Sequence, residues 1–116
     1  MEPTFPVFIL AKDSGEVMKF WSVIEMQREL EPIDIENGEY EAWDKDGNML
    51  KMRVQKSVWL VLESSSILSS RSLISVLNEF AGKHGVEVAG NRQESPEGLF
   101  DYITVQAKKI AKNKPT

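Results

Sequence analysis

The chain has 116 residues, 41% of them apolar and 28% charged, and carries a net charge of −4. That is the size and composition of one globular domain, 1–116, and not of a fibrous or disordered chain. With no cysteine and one histidine, His84, the sequence excludes a disulfide scaffold, a thiol nucleophile, an iron–sulfur cluster and a multi-histidine metal centre.

The chain opens Met1-Glu2-Pro3 without a cationic region, and its first apolar run is too short for a signal peptide. No stretch approaches the roughly 20 apolar residues of a membrane span. The expectation is a soluble, cytoplasmic protein with no membrane contact.

Residues 7–11 are apolar throughout, which predicts a central strand covered on both faces. Asp13-Ser14-Gly15 predicts a tight turn into a second strand at 17–21. A three-residue loop would set Phe8 opposite Phe20 and Leu10 opposite Met18. Ser22 followed by Glu25 reads as a capping box opening a short helix, with Trp21 placed to pack on Met26 and with Val23, Met26, Gln27 and Leu30 on one face. Pro32 ends that helix, and 33–38 is expected to be a connection turning at Asn37-Gly38.

Asp44-Lys45-Asp46-Gly47-Asn48 matches a hairpin loop made of a type I turn closed by a glycine bulge. It sets Ala42 opposite Leu50 and Tyr40 opposite Met52 on an apolar face. The other face then pairs Glu41 with Lys51 and Glu39 with Arg53, and a one-residue slip would mix the two sets. Residues 58–62 predict a further apolar strand buried on both faces. Seven serines between Ser64 and Ser75 lead into a helix expected to start near Ser69 or Ser70, with Leu73, Leu77, Phe80, Ala81 and His84 on one face. Gly85 closes it, and 86–89 is a candidate short strand. Ser95-Pro96 predicts the start of a last helix whose stripe is Leu99, Ile103, Ala107 and Ile110, with lysines in its final turn.

The expected architecture is α+β. It has an antiparallel or mixed sheet of about five strands, two longer amphipathic helices on one of its faces, and a short helix after the first hairpin.

Catalytic patterns are weak. Asp44, Asp46 and Asn48 resemble the start of a calcium loop, but Gly47 falls in the fourth place instead of the sixth and Gln55 stands where a bidentate Glu belongs. No glycine elbow surrounds any serine, and His84 at a helix end is poorly placed to activate one. Carboxylate pairs are too abundant to single one out. The chain therefore reads as a non-enzyme with no cofactor and no metal. The C-terminal lysines lack the interleaved aromatics of a nucleic-acid surface, so no nucleic-acid partner is expected.

Charge layout is the informative feature. Residues 25–46 hold nine acids against Arg28 and Lys45, a local charge of −7. Such a field favours a basic protein partner, most concretely as an inhibitor or immunity-type protein that blocks a cationic site. The candidate contact residues are Glu36, Asp44 and Asp46 as steering charges and Trp43 as apolar anchor on the charged sheet face. Glu39 and Glu41 are left out because the hairpin register neutralises them. The alternatives are a structural or regulatory subunit with a solvated acidic face, and a small-ligand-binding α+β module.

Overall fold

The computed structural model describes residues 4–55, 60–64, 72–88 and 95–113. Among the described residues nine elements follow one another as β1 (Val7–Ala11), β2 (Val17–Phe20), α1 (Val23–Glu29), α2 (Pro32–Glu36), β3 (Tyr40–Trp43), β4 (Met49–Arg53), β5 (Val61–Ser64), α3 (Leu73–Lys83) and α4 (Pro96–Asn113). The strands form one antiparallel sheet in the order β2-β1-β3-β4-β5. Val58, Trp59, Ser69, Ser70 and Ala89 lie outside the described residues, and with them parts of the expected strands and helix start.

β2 and β3 both run antiparallel to β1 and flank it, so the chain joining them must cross β1 on one face of the sheet. That crossover carries α1 and α2, which bury Met26, Leu30 and Ile35 against Val7, Ile9, Ala42 and Leu50. α3 and α4 close the opposite face, packing Leu77, Phe80 and Ile103 on Phe8, Leu10 and Trp43. β1 is therefore covered on both sides, and all five of its residues are buried, as a continuously apolar strand requires. Each fully buried large side chain contributes about 1.5–3 kcal/mol.

Local chemistry sets the element ends. Ser22 Oγ accepts from the Glu25 amide at 3.2 Å, and the Glu25 carboxylate accepts from the Trp21 amide at 2.9 Å, a capping box whose return bond lands on Trp21. Trp21 itself is 53% exposed, with the Lys19 ammonium 5.4 Å from its ring centroid. Pro32 does end α1, but it also occupies the first turn of α2, a short helix where a connection was expected. Its missing N–H costs nothing there, and its fixed φ suits a helix start.

α3 starts at Ser72, whose Oγ accepts from the Ser75 amide at 3.1 Å, and not at an earlier serine. It ends in a Schellman motif: Val86 N–H donates to the Ala81 carbonyl and Gly85 N–H to that of Gly82. Gly85, at φ +70°, takes the left-handed position that a Cβ would disfavour. No strand follows over 86–88. Ser95 Oγ caps α4 by accepting from the Gly98 amide at 3.0 Å.

The first hairpin differs by one residue from its expected register. Its closing pair is Ala11 and Glu16, and residues 12–15 make a four-residue loop in which Gly15 N–H donates to the Ala11 carbonyl. Phe8 consequently lies opposite Lys19 and Leu10 opposite Val17, while Phe20 joins Val7 on the other face. The shift places Lys19 toward α4, where Asp101 (2.7 Å) and Glu97 (3.3 Å) meet its ammonium. Burial alone would lower the Lys19 pKa, but these two carboxylates outweigh it and hold it above its ordinary value.

The second hairpin keeps its expected register. Ala42 is opposite Leu50, Gly47 N–H closes the turn on the Asp44 carbonyl at 3.0 Å, and Gly47 takes φ +86° as the bulge residue. Tyr40 and Met52 pack on the α1–α2 side with Ala42 and Leu50, as expected. The ladder between β3 and β4 pairs Ala42 with Leu50 and Trp43 with Met49, whereas Tyr40 and Glu41 pair with β1 and residues 51–53 pair with β5. β5 is an outer strand of this order, and Leu62 and Glu63 on it are only partly buried, so the expected burial on both faces is not met there, although Leu60 just before it is buried.

Candidate functional site

The four residues expected to form a contact surface are split by the fold. Glu36, at the end of α2, and Asp46, in the hairpin turn, are exposed. Trp43 is 1% exposed and sits in the core with Phe8, Leu77, Phe80 and Phe100. It does share a sheet face with Glu41, but α3 and α4 cover that face, so no partner reaches the indole. Asp44 is 5% exposed, and its carboxylate is consumed by the turn. Oδ1 accepts from the amides of Asp46 and Asn48, both at 2.9 Å, and Oδ2 from the Asn48 side chain at 3.3 Å. A short acid bonding its own turn backbone in this way is a structural fastener.

The internal pairs expected for Glu39 and Glu41 are replaced by others, because each strand of the hairpin has a second neighbour. β5 brings Glu63 to Arg53, whose guanidinium donates to it at 2.6 and 2.8 Å. On the other side, the end of β1 brings Lys12 within 3.8 Å of Glu41 Oε1. Glu41 Oε2 is buried without a hydrogen-bond partner among the described residues.

Glu39, released from Arg53, belongs to a cluster. Its amide donates to the Asp34 carbonyl at 3.0 Å, and its carbonyl accepts from the Lys12 amide at 2.9 Å. This draws together the β1–β2 turn, α2 and the start of β3. The charge of Asp34, then burial, then a hydrogen bond to Asp34 raise the Glu39 pKa, with Asp13 adding to it. The Tyr40 hydroxyl is pushed up by burial first, and then by Asp34, Asp13 and Glu31. Asp34 and Asp13 thus act on both the Glu39 carboxyl and the Tyr40 phenol, and Glu31 acts on the phenol as well. None of Glu29, Glu31, Asp34, Glu36 and Glu39 makes an ion pair with a described residue.

Beside this cluster, the outer side of the α1–α2 layer exposes two isoleucines, Ile24 at 61% and Ile33 at 60%. The sequence reading missed both, along with Asp13. Their signal was present as the apolar positions left over once Met26, Leu30 and Ile35 take the core stripe.

A second polar group joins α3 to the first hairpin. Glu16 accepts from His84 Nε2 at 2.8 Å and meets Lys83 Nζ at 3.3 Å, and Lys83 also donates to the Ser14 carbonyl. Burial raises the Glu16 pKa, but the hydrogen bonds and charges of His84 and Lys83 outweigh it and leave the pKa below 4.5.

Among the described residues no three His, Asp or Glu side chains are placed to hold a metal ion, and no helix is long and apolar enough to cross a membrane. No family model matches the chain, and no curated protein or solved structure matches it either.

Proposed function

We propose that the protein acts by binding a basic protein, and that the contact is the outer α1–α2 layer with the acidic cluster at its edge. The observation that carries this reading is the juxtaposition of Glu39 with the carboxylates of Asp34 and Asp13, which repel its charge, and with the exposed Ile33 on the same short helix as Asp34. A cationic partner relieves the repulsion, and the isoleucines supply apolar contact area that a purely solvated acidic face does not need. An inhibitor or immunity-type role, covering the cationic site of a toxin or nuclease, is the most concrete form. Glu36 remains one of its steering charges, and Asp46 lies apart from the layer in the β3–β4 turn.

The test is capture of partners from lysate at low and high salt with the wild type, Asp34→Lys and Ile33→Ala. A basic partner should be held at low salt, released by salt, lost with Asp34→Lys and weakened with Ile33→Ala. Retention of the same partner by both variants would remove this surface from consideration.

A further inference from the structure

The last turns of α4 lie outside the core. Ala107 is the last hydrophobic residue of this helix that packs on it. Ile110 continues the stripe of Leu99 and Ile103 at helical spacing, yet it is 38% exposed, whereas Ile103 is fully buried. Every residue from Lys108 to Lys112 is exposed. Lys108, Lys109 and Lys112 make no ion pair with a described residue. The helix end thus presents a cationic surface around an apolar residue that its own core does not cover.

The chain also carries the complementary surface. With −7 of the net −4 charge in residues 25–46, the rest of the chain carries +3. The outer α1–α2 layer sets Glu29, Glu31, Asp34 and Glu36 beside the exposed Ile24 and Ile33. α1 and α2 cover one face of the sheet and α3 and α4 the other, so the sheet keeps the helix end from that layer within one molecule. We propose that the α4 end of one copy docks on the α1–α2 layer of a second copy. Lys108, Lys109 and Lys112 face the layer's carboxylates, and Ile110 adds apolar contact with Ile24 and Ile33. The contact joins two different surfaces, so it is head-to-tail and leaves one of each open unless a ring closes. A single helix end buries little area, which makes the association weak and transient. The proposal rests on the α1–α2 surface of the reading above: the chain's own helix end is a basic occupant of it and competes there with a basic partner.

The test is sedimentation equilibrium at low and high salt. It compares the wild type, the triple variant Lys108→Glu, Lys109→Glu, Lys112→Glu, the double variant Asp34→Lys, Glu36→Lys, and a mixture of the two variants. The wild-type mean mass should rise with concentration above the 13.2 kDa of one chain and fall back in high salt. Each variant alone should associate about tenfold more weakly. The mixture should regain the association but stop at one-to-one pairs, because one variant keeps only the acidic layer and the other only the basic end. If charge reversal frays α4, changing the same three lysines to Gln removes the charge without opposing the helix dipole and should give the same loss. A wild type that stays at 13.2 kDa up to about 1 mM in low salt, association unchanged by the lysine substitutions, or a mixture that associates no better than its components would each overturn the proposal. The lysine variants leave the α1–α2 layer intact, so their capture of a basic partner from lysate tests the proposed function separately.

Discussion

Phe8 and Trp43 are directly opposite each other across β1 and β3, and both are sealed from solvent between the sheet and the α3–α4 layer. The pair joins the first hairpin to the second at the centre of the core. Trp43→Ala should therefore cost stability, by about 3–5 kcal/mol, through lost burial and the cavity left behind. Urea unfolding followed by circular dichroism measures it. A loss under 1 kcal/mol would mean that the indole is not in this core.

Asp44 and Asp46 stand two residues apart in one turn and should behave oppositely. Asp44→Ala strands two amides and should destabilise by about 1–3 kcal/mol, with Asp44→Asn losing less because it keeps an acceptor. Asp46→Ala, exposed, should change stability by less than about 0.5 kcal/mol. Equal effects in chemical denaturation would contradict the turn geometry.

The Glu16 carboxyl has a folded pKa below its ordinary 4.5. Its ionised form is therefore favoured by folding, so the stability it contributes is complete above 4.5 and disappears as pH falls through the lower folded value. A Glu16→Gln variant should be less stable than the wild type at neutral pH, and the gap should close on acidification. Thermal unfolding of both proteins across pH 2–7 follows it (about one scan per pH unit suffices). A gap that widens in acid would reverse the sign.

Glu39 has the opposite shift. Its pKa is raised by Asp34, so ionisation is disfavoured in the folded state and costs stability at neutral pH. Glu39→Gln should raise the melting temperature at low salt, and the gain should shrink as salt screens the repulsion. A melting temperature that falls on substitution would show the cluster to be stabilising as it stands.

The hairpin around Gly47 was legible because all its determinants are local. A loop of fixed length, one glycine and alternating polarity within fifteen or so residues leave one good register. The capping serines and the long apolar stripes of α3 and α4 were legible for the same reason. The first hairpin was not, since Asp13-Ser14-Gly15 suits three- and four-residue loops alike, and only the packing of Phe20 under α1 and of Lys19 against Asp101 separates them.

Composition determined the absence of thiol and multi-histidine chemistry, and the order of residues determined the α+β class and an acid-rich segment at 25–46. Which acids of that segment are available was decided by the tertiary structure, because pairing partners come from strands remote in sequence. Lys12, just after β1, meets Glu41, Glu63 on β5 takes Arg53 from Glu39, and Asp13 in the β1–β2 loop acts on Glu39 together with Asp34. Trp43 likewise reads as a surface anchor in any single hairpin; it becomes core only when helices encoded thirty or more residues later close over that face.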